Sequence, residues 1–275
     1  AAMIARVPIA HIHGGERTES SVDDAIRHAI TKMSHLHFVA ADEYRTRVIQ
    51  MGEQPARVFN VGGLGVEAVK RTPLMSRQEL ERFLGVALAD PVFLVTYHPV
   101  TLDPAASVAE FSEMLEAFKL MDGAQFIFTM PNADTDGRVI ADMIETFCRD
   151  HSRSYSYQSM GQVAYISLMS QVSGVVGNSS SGLLEAPAVG VGTLNIGARQ
   201  EGRLKASSVL SVEGDQKSIH SALETLLSSE FASFLSNVEN PYEAGSPSDE
   251  IVRILETTSD YLGLLRKRFF DEGVE

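Results

Sequence analysis

Residues 173–186 read SGVVGNSSSGLLEA. A short apolar run is followed by a small polar turn, and a helical pattern begins directly after the turn. This order predicts a buried strand that leads into a helix, which is typical of a βαβ unit with a parallel sheet. The free N–H groups and serine hydroxyls of such a turn can bind a phosphate, or they can simply cap the helix. The local pattern leaves both interpretations open.

The same alternation of short apolar runs and amphipathic stretches extends along the whole chain. The predicted strands are Ile9–His13, His37–Ala41, Val58–Gly62, Val92–Tyr97, Gln125–Met130, Gly174–Val176 and Thr193–Ile196. The predicted helices include Val22–Ser34, Ala105–Leu120, Asp136–Arg149, Gly182–Val189 and Ile251–Leu265. We therefore expect an α/β fold with parallel sheets. The loops that follow the strands should lie along one sheet edge, where such folds bind ligands.

The residues Arg71-Thr72-Pro73 interrupt this pattern and suggest a domain boundary. We expect residues 1–70 to be the second half of one Rossmann-like domain, because only three strands precede the boundary. Residues 71–250 carry enough strands for a complete second Rossmann-like domain, ending in a surface loop. Residues 251–275 are predicted to form a C-terminal helix and tail.

Composition limits the classes of protein that fit. Of the 275 residues 44% are hydrophobic and 21% are charged, so a packed core can form. The formal net charge of −13 argues against nucleic acids and anionic membranes as partners. Cys148 is the only cysteine, so neither an internal disulfide nor a structural zinc site is expected. These features favour a cytoplasmic protein without a membrane-spanning segment.

Two further strand ends carry residues suited to a phosphate ligand. His98 follows the apolar strand at Val92 and could donate to a phosphate or act as a general acid, although a histidine at a strand end is more often structural. Arg199 and Arg203 lie in a glycine-bounded loop that suits a pyrophosphate, or that is a solvated turn. Asn132 lies in another such loop and gives a weak signal.

The first strand leads into a segment with histidines, glycines and carboxylates, HIHGGE at residues 11–16. His11 and His13 should face the same side of the strand. On the next helix Asp23 and Arg27 are four residues apart, and so are Asp24 and His28, which fits ordinary ion pairs. The spacing of the histidines fits no zinc pattern, so we expect no metal.

Taken together, these segments resemble the hydrolysing UDP-N-acetylglucosamine 2-epimerases of the sialic-acid pathway. The longest match runs from His11 to Lys32. It is followed in the family's order by His98-Pro99-Val100-Thr101, Pro131-Asn132-Ala133-Asp134, Gly177-Asn178-Ser179-Ser180 and the loop from Gly197 to Arg203.

The resemblance implies two Rossmann-like domains, as in GT-B glycosyltransferases. In that scheme the second domain binds UDP. The residues that the resemblance assigns to substrate binding are His13, Arg27, Asn132, Ser179, Ser180, Glu185 and Arg199, and those assigned to catalysis are Glu16, Asp23 and His98. The family removes the C2 proton, expels UDP, and adds water to give N-acetylmannosamine. That chemistry needs no cofactor, and we expect a homo-oligomer, a dimer or a tetramer.

The resemblance also leaves alternatives. The family carries further strands before the position that matches Ala1, so we expect an incomplete first domain and weak turnover by this chain. A non-hydrolysing epimerase would instead return UDP-N-acetylmannosamine. A relative that acts on a GDP- or bacillosamine-type sugar also fits, as does a nucleotide-sugar-binding module without activity.

Overall fold

The computed structural model describes residues 1–19, 22–100, 104–131 and 137–271, and these form two compact units. The first unit contains residues 1–18 and 22–68 and also the C-terminal residues from Pro241. The second unit contains Glu19 and the continuous range 69–240. Residues 241–250, which we expected in the second domain, therefore belong to the first unit, and the C-terminal helix is not separate from it.

The first unit contains a parallel sheet of three strands within the described residues, in the order β1-β2-β3. The strands are β1 (Ala10–Ile12), β2 (Leu36–Val39) and β3 (Val58–Asn60). The helices between and after them are α1 (Asp23–Met33), α2 (Asp42–Gln50) and α3 (Leu64–Arg71), with a 3-10 turn at Pro55–Arg57. Residues 64–68 of α3 belong to this unit. Every residue of β2 is buried, because β2 is the central strand.

The second unit contains a parallel sheet with strand order β6-β5-β4-β7-β8-β9 over the part of the chain described. The strands are β4 (Val92–Thr96), β5 (Gln125–Thr129), β6 (Ser154–Tyr157), β7 (Gly174–Gly177), β8 (Thr193–Ile196) and β9 (Val209–Val212). The helices are α4 (Arg77–Leu84), α5 (Pro104–Lys119), α6 (Gly137–Asp150), α7 (Gly161–Met169), α8 (Ser181–Leu184), α9 (Gln216–Leu226) and α10 (Ser229–Leu235), with a 3-10 turn at Pro187–Val189.

Helices cover both faces of this second sheet, which explains why its central strands are continuously apolar. Phe93 and Val95 of β4 pack on one face with residues of α5, α6 and α9. Val92 and Leu94 point to the other face and pack with α4 and α7. All of these side chains are buried, so β4 lies at the centre of the unit.

Local signals set where helices begin and end. Ser76 accepts a hydrogen bond from the backbone N–H of Glu79, and the Glu79 carboxylate accepts one in return from the Ser76 backbone. This capping box fixes the start of α4 just after the predicted boundary. The helix ends at Gly85, whose φ of 72° is left-handed and suits glycine.

The chain returns to the first unit at its C-terminal end, through α11 (Pro247–Thr257) and α12 (Tyr261–Leu264). The hydroxyls of Tyr242 and Tyr44 are hydrogen-bonded at 2.7 Å, and both side chains are buried. The Ser248 hydroxyl donates to the Glu67 carboxylate at 2.9 Å. These polar contacts hold the returning segment on the first unit.

The expected α/β class with parallel sheets is confirmed. Each predicted strand overlaps an observed one, whereas β6 and β9 were not predicted. The predicted helix from Ile251 to Leu265 is instead two helices, because the chain turns extended at Thr258. In the part of the chain that the structure covers, no helix combines the length and the apolar character that a membrane span requires.

Candidate functional site

The second sheet reverses its winding direction between β4 and β7, and the polar strand ends lie at this point. From β4 the chain winds outward to β5 and β6, and then returns to place β7, β8 and β9 on the other side. Open α/β sheets bind ligands outside the carboxyl ends of the strands at such a reversal. Thr96 at the end of β4 pairs with Gly177 at the end of β7, so the two following loops start side by side.

Gly177 is required for this close approach. Its φ is 130°, and a Cβ at this position would lie 2.0 Å from the carbonyl oxygen of Thr96. No side chain fits between the two strand ends. The glycine therefore lets the polar turn begin immediately beside the loop that carries His98.

Asn178 joins the two loops through its side-chain amide, and it is fully buried. Its Oδ1 accepts from the backbone N–H of His98 at 2.7 Å, and its Nδ2 donates to the His98 carbonyl at 2.8 Å. The carbonyl of Asn178 in turn accepts from Arg199 Nη1 at 3.0 Å and from Gln200 Nε2 at 2.8 Å. One buried residue thus positions His98 and Arg199 at the same edge.

The serine side chains of the turn contribute little to the hydrogen bonds that cap the start of α8. Ser180 precedes α8 without capping it through its side chain, within the part of the chain described. Ser179 Oγ accepts a long hydrogen bond of 3.4 Å from the Ser181 N–H. Glu185 follows the single turn of α8. The capping interpretation therefore accounts for little of this turn, which favours the phosphate interpretation.

A cavity of about 410 Å³ opens beside the turn. It is lined by Thr96, His98, Thr129, Met130, Gln158, Ser159, Met160, Gly161, Gln162, Tyr165, Ser179 and Ser181. Both apolar and hydroxyl-bearing side chains face it. Its place at the carboxyl ends of β4, β5, β6 and β7 makes it a candidate pocket for a small organic ligand.

A hydrogen-bonded pair of a tyrosine and a glutamate packs against the loop that carries Arg199. The Tyr97 hydroxyl donates to Glu110 Oε2 at 2.9 Å, and burial together with the Glu110 charge raises the pKa of Tyr97 above its usual range. The Glu110 side chain lies against the backbone of Gly197 and Gly214, where an added Cβ would meet it at 2.5 Å and 2.3 Å. No sequence motif indicated Glu110, which comes from the middle of α5.

In the first unit, His13 and Glu16 form a short contact at the end of β1. His13 Nδ1 lies 2.5 Å from Glu16 Oε1, and the Glu16 side chain is almost completely buried. His13 Nε2 accepts from the backbone N–H of Leu64 at 3.4 Å. Because Nε2 is an acceptor, the neutral ring carries its hydrogen on Nδ1 and donates it to the carboxylate. A left-handed φ of 61° at His13 turns the chain toward this contact.

Arg27 on α1 donates hydrogen bonds to the segment that follows β1. Its Nη1 donates to the Glu16 carbonyl at 3.2 Å and to Thr18 Oγ1 at 3.1 Å. Asp24 forms the ion pair expected with His28, at 3.4 Å, and Arg27, which we expected to pair with Asp23, lies 3.7 Å from Asp24. Asp23 lies exposed in the first turn of α1. The structure thus brings His13, Glu16 and Arg27 together.

His11 is directed toward α1. Its Nδ1 lies 3.2 Å from Thr31 Oγ1. Burial, reinforced by His37 and Arg27 nearby, lowers the pKa of His11 to about 4. Among the described residues no cluster of histidine, cysteine or carboxylate side chains could hold a metal ion. Asn132 lies outside the described residues, as do Thr101, Ala133 and Asp134.

The model of one protein family, described as UDP-N-acetylglucosamine 2-epimerase, matches residues 1–256. The chain belongs to the UDP-N-acetylglucosamine 2-epimerase family. The resemblance that the sequence motifs indicated is thereby confirmed.

Curated relatives of this epimerase family include the polysialic acid biosynthesis protein P7 of Escherichia coli, which is 38% identical over 256 residues. That match covers 93% of this chain and 65% of the relative. The GDP/UDP-N,N'-diacetylbacillosamine 2-epimerase (hydrolyzing) of Campylobacter jejuni is 36% identical over 230 residues, or 83% of this chain and 59% of the relative. The chain therefore spans about three-fifths of the length of these relatives.

Solved structures support the fold of the chain. The UDP-GlcNAc 2-epimerase of Neisseria meningitidis, solved with UDP-GlcNAc bound, has a TM-score of 0.78 at 19% identity, covering 94% of this chain and 72% of that one. The enzyme of Methanocaldococcus jannaschii, in complex with UDP-GlcNAc and UDP, has a TM-score of 0.76 at 16% identity, covering 94% and 71%. Structures of this kind are of the GT-B type.

Proposed function

We propose that this chain carries the UDP-binding and acid–base residues of a hydrolysing 2-epimerase, which converts UDP-N-acetylglucosamine to N-acetylmannosamine and UDP for sialic or related nonulosonic acid synthesis. The observation that carries the proposal is the reversal point of the second sheet. There His98, Arg199 and the serine turn share one edge through Asn178. A diphosphate suits this edge because an arginine, hydroxyls and backbone N–H groups converge on it.

In this proposal the diphosphate lies at the Gly177–Gly182 turn, against Ser179 and Ser180. Arg199 and His98 lie against the phosphates, Glu185 holds the ribose, and Asn132 adds a contact to the substrate. UDP leaves C1 with increasing negative charge, and donors placed beforehand at that position lower the barrier. Nucleotide binding would thus belong to the second unit.

The proposed acid–base residues are Glu16 and Asp23 of the first unit, with His13 and Arg27 beside Glu16. A carboxylate removes the weakly acidic C2 proton while the C1–O bond to UDP breaks, leaving a glycal. Water then adds its hydroxyl to C1, and a carboxylic acid returns a proton to C2 on the opposite face. The hydrogen bond that His13 donates to Glu16 fixes the direction of that carboxylate.

Two measurements test this function. Incubation with UDP-N-acetylglucosamine in D₂O, followed by NMR, should give UDP and free N-acetylmannosamine with deuterium at C2. Glu16→Gln or Asp23→Asn should lower the rate by about a hundredfold or more while leaving UDP affinity unchanged. Glu256→Gln changes an exposed carboxylate of α11 in the same unit and serves as the control. Normal turnover by both site variants would refute the assignment.

Calorimetry with UDP tests the nucleotide site separately. Ser179→Ala, Ser180→Ala and Arg199→Ala should each weaken UDP binding, by about 1 kcal/mol for a single hydrogen bond. Unchanged affinity in all three variants would remove the turn from consideration. UDP binding without any turnover would instead favour either a nucleotide-binding module without activity or an enzyme whose first domain is incomplete.

The products and substrates distinguish the remaining enzymes. UDP-N-acetylmannosamine as the product would indicate a non-hydrolysing epimerase. The name of the Campylobacter jejuni relative favours a second candidate substrate, a GDP- or UDP-linked diacetylbacillosamine, so both nucleotide sugars belong in the assay. We also propose a cytoplasmic location, supported by the single Cys148, and a homo-oligomer, which light scattering can test.

A further inference from the structure

Five hydroxyl groups form a continuous hydrogen-bonded row along the floor of the 410 Å³ cavity. Thr129 Oγ1 and Thr96 Oγ1 are 2.7 Å apart, and Thr96 Oγ1 lies 3.3 Å from the Tyr165 hydroxyl. The Tyr165 hydroxyl lies 2.7 Å from Ser181 Oγ, which donates to Ser179 Oγ at 3.0 Å. The row connects the end of β5 to the serine turn after β7.

The geometry allows one direction for the hydrogens of this row. Ser181 uses its only hydroxyl hydrogen on Ser179, so Tyr165 must be the donor in its contact with Ser181. Tyr165 has then used its own hydrogen, so Thr96 must donate to Tyr165. By the same count Thr129 donates to Thr96 at 2.7 Å, in preference to the Val95 carbonyl, which lies 3.5 Å from its hydroxyl. Every hydrogen therefore points toward Ser179.

Ser179 ends the row with its own hydrogen still to donate. Its Oγ accepts from the Ser181 hydroxyl and from the Ser181 N–H, and within the described residues it donates to no protein acceptor. Ser179 also lines the cavity. A hydroxyl that accepts one hydrogen bond becomes a stronger donor of the next, so the row strengthens the donor that faces the ligand.

Tyr165 is the central link of the row, and it comes from α7 rather than from a strand end. Burial raises the pKa of Tyr165, which favours the protonated phenol that the row needs as a donor. A phenylalanine would fill the same space without the hydroxyl. The row would then be cut between the threonines and the serines, and Ser181 could rotate away from Ser179.

We propose that Tyr165 is a positioning residue, which acts through Ser181 to direct the Ser179 hydroxyl toward the diphosphate of a bound nucleotide. The inference rests on the proposed function, because it assumes an anionic ligand at the serine turn. It adds that a residue of α7, two hydrogen bonds from Ser179, sets the strength of phosphate binding at this site.

Calorimetry with UDP on four variants tests the inference. Tyr165→Phe should weaken UDP binding about three- to tenfold, the scale of one lost hydrogen bond. Ser179→Ala should weaken it at least as much. In the double variant the affinity should equal that of Ser179→Ala alone, because Tyr165 acts only through Ser179. Tyr157→Phe is the matched control, since it removes another tyrosine hydrogen bond, to the Leu84 carbonyl, away from the cavity.

Ser181→Ala provides a second test of the inference, because it removes the hydroxyl that links Tyr165 to Ser179. In that background Tyr165→Phe should have no further effect on UDP affinity. The inference is overturned if Tyr165→Phe binds UDP like the unaltered protein, or if the effects of Tyr165→Phe and Ser179→Ala multiply. If Ser179→Ala itself has no effect, the inference fails, whereas the proposed nucleotide site stands as long as Ser180→Ala or Arg199→Ala weakens UDP binding.

Discussion

Asn178 is the residue on which the arrangement of the candidate nucleotide site depends. Its amide satisfies both backbone groups of His98 without any exposure to solvent. Asn178→Asp places an acceptor opposite the His98 carbonyl, and we expect it to lower the free energy of unfolding by about 2–3 kcal/mol. Urea denaturation measures the change. Asn237→Ala, at an exposed site in the same unit, should cost less than about 0.5 kcal/mol. Equal effects of the two substitutions would contradict this role.

His11 should make the stability of the protein depend on pH. Burial keeps its folded pKa at about 4, below the value of 6.5 in an unfolded chain. The unfolded state therefore binds the extra proton first, and stability falls as the pH drops from 6.5 toward 4. Because the ring is partly exposed, screening should limit this contribution to about 1–2 kcal/mol. Denaturation of His11→Gln and of the unaltered protein at pH 7 and pH 5 tests this, and the variant should lose less stability. The same loss in both would assign the effect elsewhere.

Part of the candidate site follows from the rule that parallel α/β sheets bind ligands at the carboxyl ends of their strands. The rule predicts that His98, the serine turn and Arg199 follow parallel strands and share one edge, because such strands all point the same way. Asn178 lies in the polar turn after β7, but its hydrogen bonds to His98 form only because β4 and β7 are neighbours in the sheet. Tyr165 and Glu110 lie inside helices, where no local pattern distinguishes them from residues that pack. Pairwise contacts of this kind appear only once the fold is known.

Among the elements, the turn after β7 depends on a glycine. Gly177→Ala would drive a Cβ into the Thr96 carbonyl at a φ of 130°, and we expect it to destabilise the protein by about 3 kcal/mol or more. Gly85→Ala is the matched control, because Gly85 is also left-handed but has open space around it. It should cost about 1 kcal/mol. Thermal unfolding compares the two, and a similar shift in both would show that the close approach of the strands is unimportant.

The C-terminal segment after α12 is held by a buried carboxylate. Burial opposes the charge of Glu53, but hydrogen bonds from His37, Lys267 and Lys32 outweigh it and lower the pKa of Glu53 to about 2. Lys267 also donates to the carbonyls of Lys32 and Ser34 at the end of α1, both at 2.7 Å. This ammonium therefore joins the C-terminal segment to the helix that carries Asp23 and Arg27.

We expect Lys267→Met to lower the free energy of unfolding by about 2–3 kcal/mol, because it leaves a buried carboxylate and helix carbonyls with fewer donors. Arg253→Met breaks an exposed pair with Glu250 in the same unit and should leave the unfolding midpoint unchanged. Chemical denaturation of both variants is the measurement. An unchanged midpoint for Lys267→Met would mean that the remaining donors suffice.

The strands that the sequence did not predict are both at sheet edges. Central strands such as β4 are buried on both faces and read as continuous apolar runs. β6 reads Ser-Tyr-Ser-Tyr and β9 is only half-buried, so neither shows such a run. Edge strands form because a neighbour supplies hydrogen bonds, and this information is not local. Similarly, α11 begins at Pro247, inside the predicted surface loop, since proline suits the first turn of a helix.

For the whole molecule, the proposal predicts that bound UDP slows amide hydrogen exchange most strongly in the second of the two units. Hydrogen exchange should slow on addition of UDP in peptides that cover residues 92–100 and 174–185, where the ligand would bind. Peptides from α6, on one face of the same unit, report global stabilisation and serve as the internal reference. Uniform slowing across the second unit, without extra protection at the two strand ends, would argue against the site.

The order in which the chain is synthesised has a consequence for the first unit, whose residues come from both ends of the sequence. A ribosome that adds about 5–20 residues per second needs roughly ten to thirty seconds to translate the range 69–240. During that time β1, β2 and β3 have emerged without Tyr242, Lys267 and the rest of the returning segment. The second unit, which is continuous, can finish folding first. We therefore expect the nascent first unit to be the part of this chain that stays unfolded longest during synthesis and is most exposed to aggregation.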